Sequence, residues 1–348
     1  MFCSDRLTIV HFDIMADMTR EAILEWLRAP QAEALFERAR AKRVCTKGRG
    51  VFLRGLIELS SICSRDCLYC GMRKSNPRVV RYAMDDETIL ACARLAERLH
   101  FGTVVLQAGE CAALWSRERV AELIRRIKGE TGQRVTLSLG ERSEADTEAW
   151  RAAGADRYLL RFETSDRALF ARIHPGASES GEHPRMVQLR RMKAQGYEVG
   201  SGIMLGLPGQ RLESVADDLL MFRDLALDMV GLGPYLVHPD TPLGVDAMQS
   251  EVPVSVDFTC RCYALARLLL PEANIPSTTA LSTLDPERGR IAGLSSGANV
   301  FMPNLTPAEL RAGYQIYPGK ICVAAPEADS LAALQRTFAQ LGLEQVVG

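Results

Sequence analysis

Short apolar, β-rich runs alternate with amphipathic helical segments along the chain from about residue 50 onwards. Strands are predicted at 52–59, 103–107, 134–139, 157–162, 198–204, 229–232, 275–280 and 298–302. Helices are predicted between them, at 85–99, 117–128, 143–153, 185–195, 211–227, 256–269 and 285–294. Because helices separate successive strands, the strands are expected to run parallel in one sheet. Eight such units match the size of a complete (β/α)8 TIM barrel, with a doubly wound open sheet as the alternative.

The remaining segments flank the predicted barrel, which spans 49–305. Residues 1–17 are expected to form a flexible extension. A helical pattern that starts near Thr19 makes 18–48 an N-terminal helical cap. Residues 306–348 are expected to form a C-terminal extension that closes the barrel.

The charge of the chain argues against a polyanionic or lipid partner. It has 42 Lys+Arg and 43 Asp+Glu residues, which are interleaved and leave a formal net charge of −1. We therefore expect neither a nucleic-acid nor a membrane partner. No apolar run of eighteen residues predicts a membrane span, and the first seventeen residues lack the apolar core of a signal peptide. Ten cysteines in such a chain predict a reducing, cytoplasmic location, with thiols free or bound to metal.

Three cysteines lie within eight residues just after the first predicted strand. Cys63, Cys67 and Cys70 have the spacing C-x3-C-x2-C. Three thiolates can bind three irons of a 4Fe–4S cube, which leaves the fourth iron open to another ligand. A zinc site would need a fourth Cys or His nearby, and no His lies within twenty residues. An odd triplet also does not make a disulfide framework. The spacing resembles the signature of radical S-adenosylmethionine (SAM) enzymes, in which SAM binds the open iron.

Other candidate residues follow the ends of predicted strands, where a barrel of this type carries its active site. Gly109 and Glu110 follow the second strand. Arg161 and Glu163 occupy alternate positions at the end of the fourth strand, so they either pair with each other or contact SAM or a charged substrate. Arg185 opens the helix before the fifth strand, either as a solvated residue or as a bidentate clamp for the SAM carboxylate.

Three segments resemble SAM-binding motifs of radical SAM enzymes, although turns and ordinary packing explain each of them equally well. Gly109-Glu110 resembles the glycine-plus-acid motif after the second strand. The run 202–206, with Met204 at its centre, resembles the G-x-I-x-G motif that contacts adenine. Tyr69 would lie against the same adenine.

Longer runs resemble the HydE family, the radical SAM maturases of FeFe-hydrogenase, over nearly everything from Met18 to Cys322. The runs that carry the resemblance are 57–60, 67–71, 137–141, 154–161, 206–210, 238–243, 278–280, 299–304 and 314–322.

The resemblance implies one 4Fe–4S cluster and SAM at the top of a large internal cavity. It implies that a 5′-deoxyadenosyl radical attacks the sulfur of an iron-bound cysteine complex carrying CO and cyanide, during assembly of the hydrogenase H-cluster. The implied SAM contacts are Tyr69, Gly109, Glu110, Ser138, Glu163, Arg185 and Met204. The implied catalytic cavity residues are Arg161, Thr278, Thr279, Tyr314 and Tyr317. Reduced ferredoxin or flavodoxin would donate the electron, and the other hydrogenase maturases are candidate partners.

The chain departs from the family pattern at three places. No cysteine follows Cys322, so a second cluster is not expected. Cys111 stands where the family usually has Asp, and Phe162 where His is expected. Both changes are expected to lie at the cavity, so they bear on the identity of the substrate rather than on the radical chemistry.

Three alternatives follow from the same residues. A sibling radical SAM enzyme such as methylornithine synthase would act on a small amino-acid substrate. A biotin synthase is disfavoured, because the predicted third and fifth strands contain no Cys and the seventh contains no Arg. A non-catalytic barrel with a structural metal would need a fourth protein ligand.

Overall fold

The computed structural model describes residues 18–246, 248–320 and 327–347, so the segment predicted to be a flexible extension and Cys322 lie outside the described residues. The α-helices are α1 Arg20–Arg28, α2 Glu33–Lys47, α3 Asp86–Arg98, α4 Arg117–Thr131, α5 Glu144–Ala152, α6 Arg167–Ile173, α7 Pro184–Ala194, α8 Leu212–Asp224, α9 Val256–Leu269, α10 Thr279–Leu284, α11 Gly289–Ser295, α12 Ala308–Arg311 and α13 Glu327–Gln340. The strands are β1 Gly50–Ser60, β2 Thr103–Ala108, β3 Arg134–Ser138, β4 Arg157–Leu159, β5 Glu198–Leu205, β6 Met229–Pro234, β7 Val300–Phe301 and β8 Glu344–Val346.

Seven strands form a parallel sheet in the order β6-β5-β4-β3-β2-β1-β7, and β8 pairs with the start of β1. The register places Glu58 of β1 opposite Gln107 of β2, and Gln107 opposite Ser138 of β3. These strands therefore end at one level, and the loops that follow them gather at one face. The strands are almost wholly buried because helices cover them, as expected of a parallel sheet.

Side-chain caps explain where several helices begin. Thr19, Asp85, Ser116 and Ser143 each accept a hydrogen bond from the backbone N–H three residues later, at the first turns of α1, α3, α4 and α5. Helices α1 and α2 pack against α8 and α9 on the outside of the sheet. None of the described helices is long and apolar enough to cross a membrane.

The prediction of a regular strand at 275–280 is wrong. This segment makes only isolated parallel bridges, from Asn274 to Met229 and from Pro276 to Val300. Pro276 cannot donate to a strand ladder, and Thr278 accepts from the Leu281 N–H at 3.4 Å to begin α10. The helix predicted at 285–294 begins later than expected, as α11 from Gly289, and an additional helix, α10, precedes it.

A basic cavity of about 910 Å³ lies at the opposite end of the sheet, where the strands begin. Arg54 is 2% exposed, and none of the residues that the structure describes hydrogen-bonds to its Nε. One of its terminal nitrogens lies 3.0 Å from the Met229 sulfur. Burial, together with the nearby Arg157, lowers the pKa of Arg54 to about 9. Since Arg157 pairs with Glu198, Arg54 is a buried cation without a carboxylate partner among the described residues.

Candidate active site

The three predicted cluster ligands lie together on the loop that follows β1. Cys63, Cys67 and Cys70 are each half-buried. The Cys70 N–H donates to the Cys67 carbonyl at 3.2 Å, which folds the last two ligands into a tight turn. The next backbone N–H, from Gly71, donates to the Ile316 carbonyl at 2.8 Å, so the C-terminal segment covers this turn.

Two glycines let other backbone segments approach the cysteine loop closely. A Cβ on Gly109 would lie 2.4 Å from the Ile62 carbonyl oxygen and 3.1 Å from the Cys63 Cβ. A Cβ on Gly71 would lie 2.3 Å from the Gln315 carbonyl oxygen and 2.5 Å from the His238 ring. Neither position has room for a larger side chain unless the loop moves. The predicted glycine motif therefore packs directly on the cysteine loop.

Arg81 joins the two ends of the cysteine loop. One of its terminal nitrogens donates to the Ser61 carbonyl at 2.5 Å and to the Met72 carbonyl at 2.7 Å. The other donates to the Arg73 carbonyl at 2.7 Å. A rigid planar guanidinium can make all three bonds at once, whereas an ammonium on a flexible stem cannot match that geometry.

The three thiols suit a cluster better than a single metal ion. Burial raises the pKa of Cys63, raises that of Cys67 to about 11 and raises that of Cys70 further. Such thiols are protonated near neutral pH and would release protons on binding a metal. Among the described residues, no three His, Cys, Asp or Glu side chains converge on one point that could hold an ion. A zinc ion needs its sulfur ligands within about 2.3 Å, whereas a cube spreads three thiolates over three irons.

Tyr69, predicted to contact the SAM adenine, hydrogen-bonds to His174. The Tyr69 hydroxyl lies 3.0 Å from Nε2 of His174, whose Nδ1 lies 3.0 Å from the Phe170 carbonyl. Burial, reinforced by Arg185, lowers the pKa of His174 to about 2, so the ring is neutral. Its Nδ1–H therefore donates to the carbonyl, and Nε2 accepts from the tyrosine hydroxyl.

An ion network links the cysteine loop to the ends of β2 and β3. Arg65 pairs with Glu110, and its terminal nitrogen lies 3.3 Å from Glu141. Arg185 donates to Glu141 at 3.0 Å and to the Arg161 carbonyl at 2.8 Å. Two of the three guanidinium nitrogens of Arg185 are thus held by the protein itself. Its predicted contact with the SAM carboxylate remains a prediction.

Arg161 and Glu163 pair with each other at 3.0 Å, which is one of the two roles that their spacing allowed. Arg161 also donates to the Ile203 carbonyl at 2.5 Å. Glu163 has a φ of 65°, in the left-handed region that residues with a side chain seldom adopt. Such a conformation costs about 1–3 kcal/mol and persists only where surrounding contacts impose it.

Three side chains near the carboxyl ends of the strands are partly exposed. Gln107, Ser138 and Met204 are each half-buried near the carboxyl ends of otherwise buried strands. Met204 and, from the cysteine loop, Leu68 and Tyr69 pack against one small apolar cluster, which consists of Leu169, Ile173, Leu207, Tyr235 and Leu243. Two predicted SAM contacts, Tyr69 and Met204, therefore border the same apolar cluster.

A buried ion pair that the sequence did not predict lies beside Tyr314. Glu58 is fully buried, pairs with Lys320, and accepts from the Asn304 amide at 2.8 Å. Lys320 lies 5.0 Å from the ring centroid of Tyr314, whose hydroxyl accepts from Gln107 at 3.0 Å. The predicted residue Tyr314 is thus fixed between β2 and the C-terminal segment.

The other predicted cavity residues occupy separate positions. The Thr278 hydroxyl lies 3.1 Å from the Tyr263 hydroxyl and caps α10, and Thr279 is the first residue of that helix. Tyr317 is half-buried in the segment that follows Tyr314.

The expectation that Phe162 touches the cavity is wrong. Its side chain is fully buried, with its ring centroid 5.6 Å from Phe222 and 6.1 Å from His183. Because neighbouring residues of an extended chain point to opposite sides, Phe162 packs under α7 and α8 while Arg161 and Glu163 face the other way. Cys111 is half-buried after Glu110, and its carbonyl accepts from the Trp115 N–H.

Sequence reasoning missed His174, Arg81, Glu58 and Lys320. The local sequence pattern gives little indication of these four residues, because their roles depend on hydrogen bonds and ion pairs with other segments of the chain. The exception is Glu58, since a charged residue inside an apolar strand needs a buried partner.

Comparison with known proteins gives matches along nearly the whole chain. Residues 57–222 match the Radical SAM superfamily. The FeFe hydrogenase maturase subunit HydE of Thermotoga maritima is 41% identical over 329 residues, which cover 94% of this chain and 91% of that protein. The 3-methylornithine synthase of Methanosarcina acetivorans is 28% identical over 287 residues, which cover 82% of this chain and 78% of that protein. A crystal structure of methylornithine synthase has a TM-score of 0.81 at 24% identity and covers 96% of both chains.

Proposed function

Since the chain belongs to the HydE family of radical SAM hydrogenase maturases, we propose that it cleaves SAM reductively and acts in assembly of the FeFe-hydrogenase H-cluster. The superfamily implies a 4Fe–4S cluster and SAM. We propose that Cys63, Cys67 and Cys70 hold the only cluster of this protein, because no cysteine follows Cys322.

The observation that carries the proposal is the convergence of three thiols with the predicted SAM contacts. The cysteine loop packs on Gly109, and Tyr69 of the same loop packs against the same small apolar cluster as Met204 of β5. These residues come from three separate strands or loops, and random surface segments would not meet in this way.

Cys63, Cys67 and Cys70 would hold the cluster, which when bound would supply the electron for reductive cleavage of SAM into methionine and a 5′-deoxyadenosyl radical. The residues of the chain would bind and orient SAM. The Gly109 carbonyl would accept from the SAM ammonium, and Arg185 brings positive charge beside the cysteine loop for the carboxylate. Glu163, which pairs with Arg161, would contact the ribose of SAM.

For the substrate we propose an iron-bound cysteine complex that carries CO and cyanide. Such a complex has an amino acid part and an anionic metal part. Arg161 offers a partly exposed guanidinium to this complex, and the hydroxyls of Thr278, Thr279, Tyr314 and Tyr317 would bind its other polar groups.

We also propose that the strands close into a complete ring, which would shield a radical from water. The support is the pair of bridges at Asn274 and Pro276, which lie between β6 and β7. The segment that makes these bridges would be the seventh of eight barrel strands in chain order.

The first test is SAM cleavage. Anaerobically reconstituted protein should bind about four irons per chain. With dithionite it should form 5′-deoxyadenosine, and Cys70→Ala should abolish this product. Cys92→Ala, which alters a buried cysteine on α3, serves as the matched control. Unchanged cleavage in Cys70→Ala would refute the cluster assignment.

The second test concerns the substrate. Deletion of the gene should leave FeFe-hydrogenase immature in its host, and the chain should restore activity. Rearrangement of lysine by the reconstituted protein, without effect on hydrogenase, would instead support the methylornithine synthase alternative.

A further inference from the structure

We propose that a small organic phosphate monoester binds in the cavity of about 910 Å³ where the strands begin, with its phosphate group on Arg54. We call this space the basal cavity, and its lining includes Phe52, Arg54, Arg134 and Arg157. It lies at the opposite end of the sheet from the cysteine loop, so the inference does not rest on the proposed function. Its volume falls within the roughly 300–1,000 Å³ that small-molecule sites occupy.

Arg54 reaches the basal cavity with most of its hydrogen-bonding capacity unused. Arg54 and Phe52 occupy alternate positions of β1, so both side chains point to the same side of the strand. Within the described residues, the Arg54 guanidinium makes one hydrogen bond, at 3.0 Å to the Met229 sulfur, which is a weak acceptor. Its Nε is buried and has no partner among those residues. One edge of the guanidinium is therefore left for two oxygens of a phosphate group, which a planar fork binds as a pair.

The basal cavity stays positively charged after every ion pair is counted. Its lining contains six cationic side chains and three carboxylates, and a fourth carboxylate outside the lining also takes part in the pairs. The pairs are Arg134 and Arg157 with Glu198, Lys47 with Glu272, Lys193 with Asp228, and Arg223 with Asp224. Because Arg134 and Arg157 share one carboxylate and Arg54 has none, six cations against four carboxylates leave two positive charges. A phosphate monoester carries about 1.5 to 2 negative charges at pH 7, which matches this excess.

Strand register places the excess charges close together. Arg54 of β1 lies opposite Thr103 of β2, and Thr103 lies opposite Arg134 of β3. The Thr103 hydroxyl also accepts from Arg157 of β4 at 3.1 Å. Three cations from three strands therefore surround one threonine at the base of the sheet, where a single phosphate group can interact with all of them.

The apolar part of the lining favours an organic phosphate over a bare ion. Phe52, Leu227, Leu269 and Leu270 line the same cavity as Arg54. Sites for small molecules typically combine apolar walls with a few polar groups that fix the orientation of the ligand. A flat apolar or aromatic body on the phosphate would cover these side chains, whereas inorganic phosphate would leave them in contact with water.

The energetic cost of Arg54 supports a ligand at this position. A buried charge without a partner destabilises a folded protein. In barrel folds the end where the strands begin normally serves stability, and Arg54 opposes that role. A bound phosphate would supply the missing anion, and it would stabilise the folded protein by mass action.

The test is calorimetry on the anaerobically reconstituted chain with phenyl phosphate as the probe. Inorganic phosphate tests the charge without the apolar body, and phenol tests the apolar body without the charge. The variants are Arg54→Met and Arg134→Gln. Arg125→Met, on the exposed surface of α4, is the matched control, and Arg161→Met reports on anion binding at the end of the sheet that carries the cysteine loop.

The parent should bind phenyl phosphate at a single saturable site. Arg54→Met should bind it roughly tenfold or more weakly, because paired hydrogen bonds from a charged donor are lost. Arg134→Gln should also bind it more weakly, and because Arg134 is 52% exposed, this variant tests the site even if Arg54→Met does not fold. Both Arg125→Met and Arg161→Met should bind like the parent. Inorganic phosphate should bind the parent more weakly than phenyl phosphate, and phenol should not bind.

Failure of the parent to bind phenyl phosphate at roughly 1 mM would overturn the proposal. Equal affinities in the parent, Arg54→Met and Arg134→Gln would do the same. A loss of binding in Arg161→Met alone would place the anion near the cysteine loop and would overturn the assignment to the basal cavity. Inorganic phosphate that binds as tightly as phenyl phosphate would overturn the organic part of the ligand, and phenol that binds as tightly would overturn the role of the charge.

Discussion

Arg81 should control how firmly the cysteine loop holds a cluster. Replacing it by methionine keeps a similar length but removes three hydrogen bonds to the carbonyls of Ser61, Met72 and Arg73. Hydrogen bonds from charged donors contribute about 1.5–3 kcal/mol each when buried. Arg81 is only half-buried and water can replace part of this, so we expect a net loss of about 2–3 kcal/mol, mostly local to the loop.

The assay is the rate of iron loss to a chelator after anaerobic reconstitution. A loop weakened by about 2–3 kcal/mol opens roughly 30- to 150-fold more often, because each 1.4 kcal/mol is a factor of ten. Arg81→Met should therefore lose iron at least tenfold faster than the parent. Arg81→Lys should fall between them, because an ammonium cannot reach all three carbonyls in the same geometry.

Arg125→Met is the matched control, since Arg125 lies on the exposed surface of α4 and, within the described ranges, pairs with Glu122 alone. It should leave iron loss unchanged. Equal rates of iron loss from Arg81→Met and the parent would refute the reasoning. So would a Lys variant as labile as the Met variant, because geometry would then not matter.

Three further predictions concern the stability of the fold. Asp218 is buried, and burial raises its pKa from 3.8 to about 7. The free energy of unfolding of the parent therefore falls as the pH rises from about 4 to 7, because the folded protein resists ionisation of this carboxyl. The free energy of unfolding of Asp218→Asn, measured by denaturant, should rise relative to the parent by about 2–3 kcal/mol between pH 5 and pH 8, and a pH-independent difference would contradict this. Arg54→Met should raise the free energy of unfolding by about 1–3 kcal/mol, because it removes a buried cation without a carboxylate partner, and a loss of stability would show that the charge is compensated. A Cβ on Gly202 would lie 1.7 Å from the Gly231 carbonyl oxygen, so Gly202→Ala should lower the melting temperature sharply, whereas Gly129→Ala, with open space on α4, should raise stability by about 0.5–1 kcal/mol.

The order of helices and strands could be predicted from sequence because it depends on local period and on caps. The caps at Asp85 and Ser116 precede runs whose apolar spacing is helical, and α3 and α4 begin there. The structure of the segment after Asn274 could not be predicted from local periodicity and caps. Its apolar and β-branched residues favour a strand, but Pro276 and the Thr278 cap interrupt the ladder.

The membership of the chain in the radical SAM maturases was determined by the sequence alone, and the 41% identical relative confirms it. Three cluster ligands within eight residues are a local signal, because a single loop holds them all whatever the rest of the chain does.

The tertiary structure decided which residues meet across long stretches of chain. Tyr69 hydrogen-bonds to His174, which is 105 positions away in the sequence, and Glu58 pairs with Lys320, which is 262 positions away. Each pairing follows from strand register and from where the C-terminal segment folds back, and neither is encoded in a local pattern. It also decided that Phe162 packs in the core, because only the path of the chain beyond β4 shows which side of the sheet a residue faces.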